Sequence, residues 1–294
     1  MKKDKITGLL VLLLIYTTAT LMGVLFFLIL QYLGLNVLLS VLICDVIATV
    51  LIWLCGVALK TASVYDPYWS VQTLIIYVLL LFHFNNWNLG TILFLVPLLI
   101  YAFRLTGNFV WNFDSLTYID WRYKMLEEKS GIYYPLINLF GICLFPTCVV
   151  YLASIPMFIF AESRTFNPLQ IIGLVVMLGA ITLEIISDYQ MHYFRKHRTS
   201  KEETIDVGLW KYSRHPNYLG EIAFWFGIFI TFVVTYYAQW YWVAGAVVNL
   251  LMFLFISIPM EEKHMMEYKT TYIDYKKRTS MLLILPRRKV KSSE

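Results

Sequence analysis

Long, uninterrupted apolar stretches are the feature of this chain that most restricts its fold. A helix needs about 20 mostly apolar residues to cross the hydrocarbon core of a bilayer. Eight stretches are long enough, and they cover residues 7–33, 35–59, 69–85, 89–106, 133–161, 167–193, 218–236 and 239–258. These stretches are continuous and do not alternate between apolar and polar residues, so they exclude a β-barrel. The sequence also lacks the Gly-x-Gly-x-x-Gly motif that would indicate a Rossmann domain. The sequence predicts an all-α bundle of eight transmembrane helices, with residues 1–294 forming one domain.

Composition supports this fold class. Hydrophobic residues make up 59% of the chain and charged residues 15%, against roughly 45–50% and about 25% in a soluble chain. These values exclude a disordered chain, a disulfide scaffold and an ordinary cytosolic enzyme. The four cysteines all fall in predicted spans and show no Cys-x-x-Cys pair or metal-ligand spacing, so we expect no metal site.

Lysine and arginine predict the orientation of the spans, because cytoplasmic loops are enriched in both. With the N-terminus inside, 23 of the 24 basic residues lie on the cytoplasmic side and only Arg164 lies outside. The first stretch is too long for the apolar part of a secretory signal, so we interpret it as a retained span. We therefore expect both termini, and any active site near the charged loops, to face the cytoplasm. The net charge of +5 suits anionic headgroups or a phosphorylated ligand, and nothing indicates nucleic acid or an oligomeric state.

Ionisable side chains at membrane depth are costly, so they are candidates for function. One set lies on the sixth span, where spacings of 4, 4 and 3 residues put four side chains on one helical face; they are Glu184, Asp188, His192 and Arg195. A second face on the fourth span contains Tyr101, Arg104, Asn108 and Asn112. The face on the sixth span either connects helices within the bundle or lines a polar cavity that opens inward. On the fourth span, Arg104 is either an arginine that snorkels at a helix end or part of a functional polar face.

Two further segments combine polar and aromatic residues. In residues 64–69 we expect Pro67 in a first helical turn and Asp66 near its cap, unless Asp66 lies at the mouth of a cavity. In residues 208–221, Pro216 ends or begins a helix, and Glu221 is expected in the first turn of the seventh span. Asp45 is a lone acid near the middle of the second span and a candidate for pairing helices. The basic tail after residue 258 suits either an interfacial helix on anionic lipid or a phosphorylated ligand.

These segments resemble those of the steroid 5-alpha-reductase-like integral membrane proteins, including their bacterial branch of unknown function. The hallmark is Leu-Trp-Lys-Tyr-Ser-Arg-His-Pro-Asn-Tyr-Leu-Gly-Glu, residues 209–221. Tyr-Asp-Pro-Tyr-Trp (65–69) is similar to the family's Val-Asp-x-x-Trp element. Arg104-Leu105 and residues 120–123 are similar to its Arg-Leu and Asp-x-Arg-Tyr elements, and the closing Tyr-x-x-Tyr-x-x-Arg-Thr-Ser also fits.

The resemblance implies an NADPH-dependent reductase of a carbon–carbon double bond conjugated to a ketone, in a lipid-like, steroid-type substrate. Residues 7–106 would form the substrate side, and residues 133–294 the cofactor side. Tyr101 matches the tyrosine that bonds the substrate ketone, and Asp66 is the nearest candidate for its acidic partner. The expected cofactor-binding residues are Asn112, Asp188, Arg195, Arg214, His215, Asn217, Tyr218, Glu221, His264 and Tyr268.

The residue types fit this chemistry. Hydride transfer to an enone builds negative charge on the carbonyl oxygen, which a tyrosine hydroxyl stabilises. A neighbouring carboxyl group orients the tyrosine or shares its proton. Arginine and lysine side chains pair with the phosphate oxygens of the cofactor.

Two other functions stay open at this point. Arg-His-Pro-x-Tyr-x-Gly followed by Glu261-Glu262 also resembles S-adenosylmethionine-dependent methyltransferases of the isoprenylcysteine and phospholipid type. A non-catalytic membrane protein that binds a lipid is the other alternative. A transporter is disfavoured, because the polar residues cluster on one side and not at the midplane between inverted repeats.

Overall fold

The computed structural model describes residues Lys2–Arg288, and within that range the chain is helical with no β-strand. The α-helices of this part of the chain are α1 (Lys2–Tyr32), α2 (Val37–Leu59), α3 (Tyr68–His83), α4 (Leu89–Asn112), α5 (Trp121–Ser130), α6 (Tyr134–Ile137), α7 (Phe145–Phe160), α8 (Gln170–His197), α9 (Pro216–Val233), α10 (Val243–Met252), α11 (Ile258–Tyr268) and α12 (Tyr272–Arg278). The predicted all-α class without a Rossmann domain is confirmed.

The predicted number of spans is also confirmed. Among the described residues, eight helical segments are long and apolar enough to cross a bilayer. They are Lys3–Tyr32, Val37–Leu59, Ala62–His83, Leu89–Asn112, Trp121–Phe160, Gln170–His197, Pro216–Val233 and Tyr237–Tyr268. Asparagine caps begin two of these spans: Asn36 caps α2 by accepting from Leu39 N, and Asn88 caps α4 by accepting from Thr91 N.

The fifth and eighth spans exceed their predicted lengths the most, and proline geometry explains the longer eighth span. We expected it to end at residue 258, but its helical segment continues to Tyr268. A π-helical stretch, Phe253–Ser257, comes just before Pro259. Proline has no N–H and clashes with the carbonyl four residues earlier, so a locally wider turn lets the helix continue. The fifth span shows the same order, with π-helical Asn138–Leu144 before Pro146.

The chain separates into two compact units, Met1–Phe166 and Asn167–Glu294. Unit 1 contains α1–α7, with α1 packed on α2, and α3 packed on both α4 and α7. Unit 2 contains α8–α12, and its most extensive contact is between α8 and α9. The single transmembrane domain over residues 1–294 stays a prediction.

Glycines allow α8 and α9 to approach closely. A Cβ atom added to Gly220 would lie 2.4 Å from Glu184 Cγ, and one added to Gly227 would lie 2.6 Å from Met177 Cγ. Glu184 is therefore buried against the backbone of α9. Its aliphatic carbons pack where a larger residue at position 220 would clash.

Helix α9 begins earlier than expected. Pro216 is its first residue, where a missing N–H costs nothing. Glu221 therefore lies in the second turn and not the first, so the predicted interaction of Glu221 with the first-turn dipole is wrong. Its Oε1 instead accepts a hydrogen bond of 2.8 Å from Trp225 Nε1, one turn along the same helix.

Candidate functional site

Asp66 lies in a buried connection between α2 and α3. A single 3-10 turn, Ala62–Val64, precedes it, and Thr61 caps that turn. Pro67 is the N-cap of α3 and lies just before the first turn, where we had expected it inside that turn; no side chain caps this helix. The Asp66 carboxylate is thus not a helix cap, and Oδ1 accepts a hydrogen bond from the Tyr123 hydroxyl.

The residues around Tyr123 fix its position at the start of α5. Asp120 is the N-cap and accepts from Arg122 N. The Arg122 guanidinium donates to both Asp120 oxygens, at 2.7 Å from Nε and 3.2 Å from Nη2. The Asp-x-Arg-Tyr element therefore starts a helix and aims the tyrosine hydroxyl at Asp66.

A second acid of unit 1 also pairs with a tyrosine. Asp45 Oδ1 accepts a 2.8 Å hydrogen bond from the Tyr68 hydroxyl, which connects α2 to α3. Nearby, the Tyr65 hydroxyl is 2.8 Å from Thr147 Oγ1, which is 3.0 Å from Thr49 Oγ1. The helix-pairing interpretation of Asp45 is confirmed, and Tyr68 is the partner that the sequence left unknown.

Tyr101 and Asn112 lie on α4 in unit 1. Tyr101 is 1% exposed, and its ring centroid is 6.3 Å from that of Trp69. Within unit 1 the hydroxyl that bonds Asp66 belongs to Tyr123, so the pairing of Tyr101 with Asp66 stays a prediction. The Asn112 amide is exposed and donates to Asn108 O at 2.8 Å, one turn earlier.

Unit 1 also contains an apolar cavity of about 500 Å³ between α1, α3 and α4. Leucine, isoleucine, valine and phenylalanine side chains form most of its wall, together with Tyr16, Pro67 and Thr106. Pro67 directly follows Asp66 in the chain. Thr106 Oγ1 is buried and has no hydrogen-bond partner within the described range 2–288. The wall of the cavity is thus mostly apolar, with few polar side chains.

In unit 2, the Arg-His-Pro segment surrounds a buried carboxylate. Glu262 Oε1 is 2.6 Å from Arg214 Nε and 3.3 Å from His215 Nε2, and Oε2 is 2.8 Å from Lys276 Nζ. Arg214 Nη1 also donates to Lys276 O at 3.0 Å and to Thr279 O at 2.5 Å. The Arg214 guanidinium therefore bonds to other residues of unit 2, which gives Arg214 a structural role. Its contact with a cofactor stays a prediction.

Residues 279–288, here called the C-terminal strap, lie along the segment before α9. Arg214 N donates to Ser280 O at 2.9 Å, and Ser213 Oγ donates to Leu282 O at 2.7 Å. Leu285 N donates to Tyr212 O at 3.3 Å. Ion pairs of Asp206 with Arg278 and Arg287 hold both ends. The interfacial helix or phosphate binding expected of the tail after residue 258 stays a prediction; the strap itself packs on the 208–215 segment.

The remaining expected cofactor residues of unit 2 lie on three helices. On α9, the His215 and Tyr218 rings stack at 5.3 Å, and Asn217 is half-buried. On α8, Glu184 is buried, Asp188 and His192 are half-buried and Arg195 is exposed, so this face becomes more accessible along the helix. On α11, the His264 ring lies 5.0 Å from the Tyr268 ring.

Lys269 follows α11 directly and is buried, with 6% of its surface exposed. Burial, together with the nearby charges of Arg198 and Arg195, lowers the pKa of Lys269 from 10.5 to about 8. The negative charge of Glu261 has the opposite effect and raises the pKa of Lys269.

The candidate residues therefore fall into two sets. Tyr101, Asp66 and Asn112 belong to unit 1, and the other nine belong to unit 2. Three buried residues were not among the site residues expected from the sequence: Tyr123, Glu262 and Lys269. The sequence does contain an indication for Glu262, because a buried arginine requires an acid. Glu261-Glu262 was noted only for its resemblance to the methyltransferases. For Lys269 no sequence signal separates it from the other lysines of the tail.

The fold and these clusters define a multi-pass helical membrane protein, and comparison with known proteins gives its family. Residues 52–279 match the family DUF1295, described as a protein of unknown function, and the chain belongs to that family. An uncharacterized protein of Schizosaccharomyces pombe is 23% identical over 207 residues, which is 61% of this chain and 60% of that protein. The chain thus spans less than two thirds of the length of this relative. No solved structure matches the chain.

Proposed function

We propose that this protein is a membrane-embedded, NADPH-dependent reductase of a conjugated carbon–carbon double bond in a lipid-like enone. The observation that carries the proposal is the apolar cavity of about 500 Å³ in unit 1. Ligand cavities of about 300–1,000 Å³ with an apolar wall and few polar groups are typical of small-molecule sites. A lipid-like substrate suits this wall.

The residues of unit 2 fit a phosphorylated dinucleotide. Lys269 and Arg195 supply positive charge for phosphate oxygens, while Asp188 and Asn217 supply acceptors for ribose and amide donors. The buried Lys269 is the observation that favours an anionic group, because an unpaired buried cation is costly. NADPH, when bound, supplies the hydride.

The protein would contribute orientation, a proton donor and exclusion of water. Tyr101, which is fully buried, would stabilise negative charge on the carbonyl oxygen of the substrate. Asp66 and Tyr123 form a hydrogen-bonded pair that can hold and pass a proton. The apolar side chains of the cavity would keep the double bond away from water.

The methyltransferase alternative depended on Arg-His-Pro followed by Glu261-Glu262. Glu262 pairs with Arg214 and Lys276 inside unit 2, which gives that glutamate a structural explanation. The alternative therefore enters only as an outcome of the binding experiment.

The binding experiment measures the thermal stability of the detergent-solubilised protein with NADPH, NADH and S-adenosylmethionine in parallel. A ligand at 100 times its dissociation constant adds about 2.7 kcal/mol to the free energy of unfolding. We expect NADPH to stabilise the protein. Stabilisation by S-adenosylmethionine alone would replace the reductase by a methyltransferase, and no stabilisation by any of the three would favour a non-catalytic lipid-binding protein.

The catalytic part is tested by Tyr101→Phe. Loss of the hydroxyl should lower the rate of NADPH oxidation with a conjugated enone lipid by about 10²- to 10⁴-fold, the usual contribution of a positioned acid. Tyr118→Phe is the matched control, because Tyr118 is exposed in the segment before α5. Equal rates for Tyr101→Phe and the control would remove Tyr101 from the mechanism.

A further inference from the structure

Lys269 is a buried lysine with no acid bonded to it. Its backbone is fixed between two helices, because its N–H donates to Met265 O at 3.0 Å and its carbonyl accepts from Tyr272 N at 3.2 Å. Its ammonium lies 5.7 Å from the centre of the Tyr268 ring. Within Lys2–Arg288 no carboxylate forms an ion pair with it. A buried charge in this situation is unfavourable unless something compensates it.

The side chains near Lys269 add positive charge. Arg195 and Arg198, at the end of α8, are close enough to act on its ammonium, and they form no ion pair within the described part of the chain. Both also act on the Tyr268 hydroxyl. Glu261 is the acid that opposes them. Glu203 also interacts with Arg198. Three cations thus face two carboxylates, which leaves an excess of positive charge at a partly enclosed position.

The dipole of α8 explains only part of this cluster. Cations are stabilised at a helix C-terminus, and the last turn of α8 contains Arg195, Lys196 and His197. Lys269 belongs to another segment and gains nothing comparable by being buried beside two arginines. A bound anion would compensate all three cations.

We propose that Lys269, Arg195 and Arg198 form a binding site for a phosphate or pyrophosphate group. The planar guanidinium groups suit two oxygens of one phosphate, and the ammonium supplies a point charge. That the phosphate belongs to NADPH rests on the proposed function, whereas the site itself does not. An anionic lipid headgroup would present the same chemistry.

The test measures the thermal stability of the full chain with inorganic pyrophosphate, NADPH and NADH, and in vesicles of phosphatidylglycerol or phosphatidylcholine. The variants are Lys269→Met and Arg198→Gln. Lys263→Met is the control, because Lys263 is exposed on the same helix. We compare only the shift that each ligand causes, so that a change in basal stability does not obscure binding.

We expect pyrophosphate and NADPH to bind about tenfold or more weakly to Lys269→Met than to the wild type and the control. Binding should also take up a proton near pH 8, because the anion restores the ordinary pKa of Lys269. Calorimetry in two buffers of different ionisation enthalpy measures this uptake.

The different ligands distinguish the proposed phosphate site from the proposed reductase activity. Binding of pyrophosphate through Lys269 without binding of either nucleotide would keep the phosphate site and refute the reductase. A Lys269-dependent effect of phosphatidylglycerol alone would identify the phosphate as a lipid headgroup. If no phosphate compound gave an effect that depends on Lys269, the site would be refuted whatever NADPH does.

Discussion

Two acids of unit 1, Asp45 and Asp66, have different partners from Glu262 in unit 2. In unit 1, Asp45 and Asp66 are bonded by the tyrosines Tyr68 and Tyr123. In unit 2, Glu262 is surrounded by the cations Arg214 and Lys276, and by His215. A tyrosine can donate to a carboxylate or accept from a carboxylic acid, so its bond survives a change of protonation. Cations instead hold the carboxylate ionised. The pairs of an acid with a tyrosine suit proton transfer, and the ion pairs of Glu262 suit stabilisation of the fold.

The largest effect that tests this difference is expected at Glu262. Glu262→Gln removes the charge that compensates Arg214 and should lower the free energy of unfolding by about 3–5 kcal/mol, as for other broken buried ion pairs. Unfolding in mixed detergent micelles measures it. Glu267→Gln on the same helix, with 61% of its side chain exposed, should change stability by less than about 0.5 kcal/mol. A similar small change for Glu262→Gln would show that the cluster does not stabilise the fold.

Lys269 sharpens the comparison, because it is a buried cation of unit 2 with no ion pair among the described residues. Its pKa is lowered to about 8 in the folded protein, so between pH 8 and pH 10.5 the unfolded chain binds more protons. In the absence of phosphate, stability should therefore rise with pH across this window. The rise is at most about 3 kcal/mol, at about 1.4 kcal/mol per pKa unit.

Unfolding of the wild type and Lys269→Met over this pH range isolates that contribution. The rise should be absent from the variant and present in Lys263→Met. Parallel pH profiles for all three proteins would show that Lys269 ionises normally.

The tyrosine pairs of unit 1 should give a smaller effect. Tyr68→Phe removes the donor to Asp45 and should cost about 1–3 kcal/mol, because a buried acceptor loses its partner. The double variant Asp45→Leu/Tyr68→Phe removes both polar groups and should recover part of that loss. Unfolding of the single and double variants in the same micelles measures the two changes in the free energy of unfolding. A double variant much less stable than Tyr68→Phe would show that the carboxyl group has another essential contact.

The sequence predicted the spans well because their signal is local. Apolar runs of about 20 residues leave a helix as the only way to satisfy the backbone in a bilayer. Helix ends were predicted less well, because they depend on details such as the π-helical stretch before Pro259. The start of α9 was left open by the sequence, because a proline such as Pro216 can either end a helix or be its first residue.

The polar pairs could be predicted only in part. A face such as Asp188 and Arg195 follows from helical spacing. The Glu262 contacts do not, because they join residues about 50 positions apart in the chain. The same holds for Tyr123 and Asp66, 57 positions apart. Such pairs become visible only when the helices are packed.

The C-terminal strap also has a consequence for biosynthesis. The ribosome makes Arg214 before Glu262 and before Ser280, which supply its ion pair and its backbone acceptor. During translation the Arg-His-Pro segment therefore lacks these native partners until the chain beyond Ser280 has been made. Completion of unit 2 is a late event, and a fusion protein attached beyond the strap would interfere with it more than one attached ahead of α1.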